Sequence, residues 1–541
     1  MKCKLHRVFP LLLVTAAFSL PSGRPYPNGD GLHQAAFQVH GVSEESFLEW
    51  ELPPDPNSTH HLIFDSVSGF LQRWPNTFRR NGHSIVPAVI PTGTVLYHGR
   101  DDNHVPDVPE WFAFDFEHAF LFGVSTCYVM SVQAKRDLRL LYFDGASAAK
   151  MKDGPMDTQD FVAWRKPRPD KHFSERERIN ALCDWGKPFG VDGFVRMEFH
   201  FEVMICDVLD GLEVVTLLDL IPKNVTAPYD RPLVDPPPRP PSRPAPPPVV
   251  PPAGWRGSLP GFGRIRFEAH VAGGWHDLAP GETRVQLDYT GLITFYDPAL
   301  SSLVEARQGK DKSNYRLKGL SAADTARVHA ELQSVLTRKQ GTGSSVDWGS
   351  IARVVVERYA DRLEHLRSLL SPNATFKDAA EQAFTARSLL VVMLAPYMTI
   401  VDVPQRLPAS ANVSWLAPVV HRCATTQTSR IPLGMLTPQE VLIHAAVENT
   451  LREICRRLAL LWVQFFDVEE ADDAMAAEVI EEGHRHIDEL MNWLGWSLWV
   501  RCEPACGLGE NCYLPSWPFL KGDDPYDMTP RCIIPEEAVR E

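Results

Sequence analysis

The stretch Thr94–Gly123, TVLYHGRDDNHVPDVPEWFAFDFEHAFLFG, sets a β-favouring run, a bare His-Gly pair and an aromatic strand-to-helix junction in close succession. Thr94 to Tyr97 favours a strand that stops at His98-Gly99, where the missing Cβ of Gly99 lets backbone or ligand come close. His98 is therefore expected at a strand end beside open space. After a polar, Pro-punctuated loop, Glu110-Trp111-Phe112-Ala113-Phe114-Asp115 reads as a second short strand, and Asp115 is placed to cap a helix over Phe116–Phe122. Taken alone, these residues describe a core of Trp111, Phe112 and Phe114 with a turn histidine at position 98.

The chain around this stretch reads as α/β. Strands are expected at Ala88–Tyr97, Cys127–Val132, Leu138–Tyr142, Val195–Cys206 and Leu212–Leu220, with helices at Phe116–Phe122, Thr158–Trp164 and Ser174–Asp184. Read as one strand, Val195–Cys206 puts Val195, Met197, Phe199, Phe201, Val203 and Ile205 on an apolar face. Arg196, Glu198, His200, Glu202, Met204 and Cys206 then occupy the other, solvated face. On a regular strand Glu198 and Glu202 stand about 13 Å apart, so they and His200 cannot share one metal ion.

Pro228–Pro252, PYDRPLVDPPPRPPSRPAPPPVVPP, has the composition of an extended polyproline II spacer and excludes helix or central strand. Beyond it Ile265–His270 and Arg284–Phe295 read as strands, and from Leu320 the period becomes helical. Ser321 with Asp324 opens one helix. Asp347 precedes another, in which Trp348, Ile351, Val355, Tyr359, Leu363, Leu366 and Leu370 share a face before Pro372. Lys377–Ala395, a helix opened by the capping box Thr437-Pro438-Gln439-Glu440, and Asp472–Ser497 follow. The expected fold class is α+β: a signal peptide at residues 1–23, an α/β domain at 24–227, a Pro-rich linker at 228–253, and a mainly helical, disulfide-stabilised domain at 254–541.

Lys2, Lys4 and Arg7 ahead of the apolar run Val8–Leu20 predict a secretory signal, and no later apolar run reaches the roughly 18 residues of a membrane span. The expected product is soluble and extracellular, with sequons at Asn57, Asn224, Asn373 and Asn412 on its surface. A net charge of −14 over 541 residues lacks the basic footprint of a nucleic-acid partner. Once Cys3 leaves with the signal, an oxidising compartment predicts Cys183–Cys206, Cys423–Cys455 and two bridges among Cys502, Cys506, Cys512 and Cys532, leaving Cys127 free. His484-x-His486, two apart on a helix, point to different faces and read as solvated. Gly-x-Ser-x-Gly, His-Glu-x-x-His and Walker-type motifs are absent from the sequence.

Leu96-Tyr97-His98-Gly99, then Trp111-Phe112-Ala113-Phe114-Asp115 running into a helix, then Phe201-Glu202-Val203-Met204-Ile205 resemble the three successive motifs of ADP-ribosyltransferase-like folds of the His-Tyr-Glu type. The whole chain also resembles a large, uncharacterised group of secreted fungal proteins. The first resemblance implies an NAD site in which Tyr97, His98 and Gly99 meet the ribose and carboxamide, and Phe112 or Phe114 stacks on nicotinamide. It makes Glu202 the group that stabilises the ribosyl cation. Phe stands where that family usually has Tyr, so stacking survives without the hydroxyl's hydrogen bond. Glu198 would orient the acceptor, which could be water, a small molecule or a protein side chain. Two rival readings stand beside it: an extracellular binding or structural protein without activity, and a glycoside hydrolase using Asp115 and Glu202 as paired carboxylates about 5 to 10 Å apart.

Overall fold

The computed structural model describes residues 50–122, 128–220, 262–339, 341–399, 401–407, 413–467, 472–515, 524 and 526–535. The expected signal peptide, the Pro-rich linker, Asn224, Asn412 and Cys127 lie outside the described residues. Asn57 and Asn373 are exposed.

Ten strands make one sheet: β1 (Ser84–Ile90), β2 (Val95–Arg100), β3 (Glu110–Ala113), β4 (Tyr128–Ala134), β5 (Leu138–Phe143), β6 (Gly193–Met197), β7 (Phe201–Ile205), β8 (Leu212–Asp219), β9 (Gln286–Leu287) and β10 (Ile293–Thr294). Their order is β10-β1-β5-β6-β7-β3-β2-β4-β8, with β9 also on β1, and β5 runs parallel to β6 while the other neighbours are antiparallel. The run expected as one strand from Ala88 to Tyr97 is two. Pro91 cannot continue the ladder and Gly93 adopts φ +88°, so the chain turns and sends β2 to a different part of the sheet. Ile265–His270, expected as a strand, lies in the helix Phe262–Gly273; a short apolar run does not by itself separate the two.

Both faces of the sheet are covered over its central strands, whereas the edge strand β8 is exposed along most of its length. Val86, Leu96, Phe112, Val195, Val203 and Ile205 pack with the helix His60–Gly69 and with the long helices Trp348–Leu369, Ala379–Leu394, Pro438–Gln464 and Asp473–Leu494. Ile85, Leu141, Phe143, Phe194 and Met204 on the other face meet the helices Asp157–Trp164, Glu175–Gly186, Ser301–Arg307 and Ala322–Thr337. The fold is α+β as expected, a mixed sheet largely from the N-terminal part and a mainly helical, disulfide-bearing C-terminal part, and the two are packed together. β9 and β10 follow the Pro-rich segment yet pair with β1, and the helix His60–Gly69 precedes it yet packs on Pro438–Gln464. The described residues, all of which follow position 43, form one compact unit.

The helix ends follow local chemistry. Thr437 and Glu440 close a reciprocal capping box, and the same Glu440 carboxylate accepts from the Trp348 indole at 3.2 Å, tying two helix starts together. Four disulfides join Cys183 to Cys206, Cys423 to Cys455, Cys502 to Cys512 and Cys506 to Cys532. His484 and His486 pair with Asp488 and Glu482 along their own helix.

At the end of β5, Asp144 accepts from the His83 and Ser84 amides, both at 2.7 Å, and burial pushes its carboxyl up to about 7. A folded pKa above the unfolded value means that the native state binds the extra proton, so this group's stabilisation is complete below about pH 4 and is lost as pH rises to 7. Asp144→Asn keeps the acceptor and removes the titration. The stability of the wild type relative to Asp144→Asn should fall between pH 4 and 7, measured by urea unfolding across that range. A difference that stays flat with pH would exclude the buried protonated carboxyl.

Candidate functional site

A cavity of about 290 Å³ opens where β2, β3 and β7 run side by side. Tyr97 stands opposite Ala113, and Ala113 opposite Glu202, so strand pairing brings the three segments of the sequence reading to one place. Tyr97, His98, Gly99, Phe112 and Glu202 all line it. Trp111, with His118 and Phe122 from the helix Phe116–Phe122, completes one wall, and Lys150, Glu175 and Arg196 contribute charge.

His98 Nδ1 lies 2.6 Å from the Trp111 carbonyl. A carbonyl only accepts, so the hydrogen sits on Nδ1 and Nε2 keeps its lone pair. Burial holds the imidazole below its ordinary pKa, which makes His98 a neutral acceptor near pH 7.

The segment Val195–Cys206, expected as one strand with a solvated face, is a hairpin buried on both sides. The chain reverses at Glu198-Phe199-His200, and Arg196 becomes the cross-strand partner of Glu202. Arg196, Glu198, His200 and Glu202 are all at most 5% exposed. No Gly, Asn or Pro marks this turn; tertiary contacts hold it. Arg73 donates to the Phe199 carbonyl at 3.3 Å, and Phe199 packs against Ile265, Phe267, Tyr513 and Ile533.

Charges inside the hairpin are paired, as burial demands. Arg196 spans Glu202 (Nε to Oε1, 2.6 Å) and Glu175 (Nη2 to Oε2, 2.5 Å), while Lys150 Nζ stands 2.7 Å from Glu198 Oε2. Glu175 is also bonded by Arg178, whose Nε reaches Asp160 at 3.1 Å. Burial pushes the Glu198 carboxyl up; Lys150 opposes this and the nearby Glu202 reinforces it. At Glu175 burial also pushes upward, but Arg196, Lys150 and Arg178 together hold the carboxyl below its usual range.

Three expected roles change with the geometry. Phe114 is wholly buried in the sheet core, with the Arg284 guanidinium 5.2 Å from its ring centre, and does not line the cavity. Glu198 lies behind Lys150 rather than in the lining. Asp115 does not serve as the expected cap: its carboxylate faces His200, His276 and Arg284. It is also outside the cavity, so the paired carboxylates of a glycoside hydrolase, Asp115 with Glu202, do not share one groove. Phe112 is only 1% exposed, which leaves Tyr97, Trp111 and the 60%-exposed Phe122 as the aromatic surface open to a ligand. Arg176 rests 4.5 Å above the Trp111 ring and pairs with Glu110 at the rim.

Lys150, Glu175 and Arg196 line the cavity without having been expected there, as do Glu110, His118 and Phe122. An Arg six residues before a Glu signals a pair only once the turn between them is known.

Residues 54–128 and 124–229 match the model of the YPL277C N-terminal domain. That match spans the strands that build the cavity. The chain is also similar to uncharacterized protein YOR389W of Saccharomyces cerevisiae, 27% identical over 87% of this chain and 83% of that protein. Uncharacterized protein YPL277C of the same yeast is 28% identical over 62% of this chain and 80% of that protein. These similarities support a place in an uncharacterised fungal family. No solved structure matches. Among the described residues, no helix is long and apolar enough to cross a membrane.

Proposed function

We propose that the protein is a secreted NAD-cleaving enzyme that passes ADP-ribose to water or to an acceptor side chain. The observation that carries this reading is the convergence of His98, an aromatic wall and Glu202 on one cavity, on the three strands that bear the motifs. At about 290 Å³ the cavity suits the nicotinamide and its ribose better than a whole dinucleotide, and Arg176 offers a cation at the rim for the pyrophosphate. Nε2 of His98 can accept from a ribose hydroxyl. Tyr97, Trp111 and Phe122 offer ring faces to nicotinamide. Breaking the glycosidic bond leaves positive charge on the ribose, and the Glu202 carboxylate, held by Arg196, is a fixed anion that would stabilise that charge as it develops. Four disulfides suit an oxidising compartment.

The Arg196–Glu202 bond favours one alternative, a pocket that binds its ligand without turnover, because the guanidinium already satisfies part of the carboxylate. Calorimetric titration with NAD and a nicotinamide-release assay separate the two readings. The wild type should both bind NAD and release nicotinamide, and His98→Ala should weaken binding about tenfold, the worth of one lost hydrogen bond to a polar ligand. Binding without release selects the alternative. Neither binding nor release removes NAD as the ligand.

A further inference from the structure

We infer that Asp115, His200 and His276 form a site for a divalent transition-metal ion that fastens the sheet to the chain beyond the Pro-rich segment. Three separate segments meet there: Asp115 follows β3, His200 closes the β6–β7 hairpin, and His276 ends the turn Gly274–His276. One donor atom from each lies within 4.8 Å of the other two. His200 Nε2 stands 2.8 Å and His276 Nε2 3.5 Å from Asp115 Oδ2, and Glu282 Oε2 lies beyond them, 3.4 Å from His276 Nε2. A tetrahedral zinc ion with bonds of about 2.1 Å spaces its donors roughly 3.4 Å apart. The His276–Asp115 spacing already matches, and the shorter His200–Asp115 pair has to open.

The far side of each imidazole is also suitably placed. His200 Nδ1 lies 3.3 Å from the Phe201 carbonyl, and His276 Nδ1 3.3 Å from the Gly281 carbonyl. Both Nε2 atoms face one carboxylate oxygen, Asp115 Oδ2, to which each can donate its hydrogen; an ion seated there would take the place of those two hydrogens, and the Nδ1 atoms, each beside a carbonyl, would carry the remaining one. An Nδ1–H held by a carbonyl is how metal-ligating imidazoles are oriented. His200 is wholly buried, and its Nε2 has no hydrogen bond of acceptable geometry. Gly273 permits the arrangement: a Cβ there would come within 2.9 Å of the His200 ring, so the turn could not close over it.

Arg284 competes for the same space. Its Nη2 is 3.2 Å from Asp115 Oδ2, 3.4 Å from His276 Nε2 and 2.6 Å from Glu282 Oε2. The side chain is 31% exposed, and because the guanidinium is a rigid plane an incoming ion has to swing the whole head group outward, breaking its bonds to the Phe114 carbonyl and to Glu282 as well. Two nitrogens with carboxylate oxygens suit zinc, or iron(II) and manganese(II).

Full-length protein dialysed against chelator and titrated with zinc chloride should bind one equivalent, with a rise in melting temperature that chelator reverses. His276→Gln, at the edge of the cluster, should weaken that binding at least tenfold. Arg284→Gln should strengthen it, because the competing cation is gone; a cluster that is only an ion-pair network would instead lose stability in this variant and gain no affinity for zinc. Cobalt(II) absorption of the wild type gives a readout independent of any variant's folding, and a tetrahedral spectrum is expected. Absence of saturable binding in both the wild type and Arg284→Gln, or binding that His276→Gln leaves unchanged, would overturn the site.

Discussion

Nicotinamide release by Glu202→Gln is expected to fall roughly 100-fold, on the scale of other electrostatic deletions at a developing charge. Gln keeps the size of Glu202 and an oxygen that can still accept from Arg196 Nε, now 2.6 Å from Oε1, but it removes the anion that the proposed reaction places beside the ribose. The charge matters in the transition state more than in the bound substrate, so kcat should drop while NAD affinity changes little. An equal loss of affinity and of kcat/KM would mean that Glu202 only binds. Undiminished turnover would move the catalytic role to another carboxylate, with Glu110 and Glu175 the remaining ones in the lining.

Arg196→Met should cost about 3 to 5 kcal/mol of unfolding free energy, the usual effect of removing one partner from a buried ion pair. Arg196 is 2% exposed and serves Glu202, Glu175 and the Gln159 side chain at once. Met fills most of the volume but leaves Glu202 without its cation, whereas Glu175 retains Arg178. Adding Glu202→Met should therefore recover a large part of the loss, because an apolar replacement of the whole pair avoids the stranded charge. Urea unfolding of the two single variants and the double variant measures the coupling. A cost below about 1 kcal/mol for Arg196→Met would show that water reaches the hairpin and screens these charges.

Local signals were enough for several features. The helix Phe116–Phe122 follows from the aromatic strand-to-helix junction, and the helix Trp348–Leu369 from an apolar stripe that begins at Asp347 and ends before Pro372. Thr437 and Glu440 announce their capping box four residues at a time. Each rests on residues within a turn or two of one another, where propensity and periodicity act directly. His98 and Glu202 were likewise legible as residue types in a motif order.

Tertiary structure decided the rest. Nothing between Met197 and Phe201 has turn chemistry, so the alternation of Val195–Cys206 reads as a single strand. The reversal comes from partners far away in the chain: Lys150 on Glu198, Arg73 on the Phe199 carbonyl and Asp115 on His200. That turn alone converts a solvated polar face into a buried charge network. The Pro-rich segment likewise reads as a boundary between independent domains, yet β9, β10 and the helix His60–Gly69 each pack on elements from across it. Sequence periodicity states that a face is apolar or polar; it does not state which distant face will cover it, because burial is a property of the assembled layers and is chosen by the free energy of the whole core.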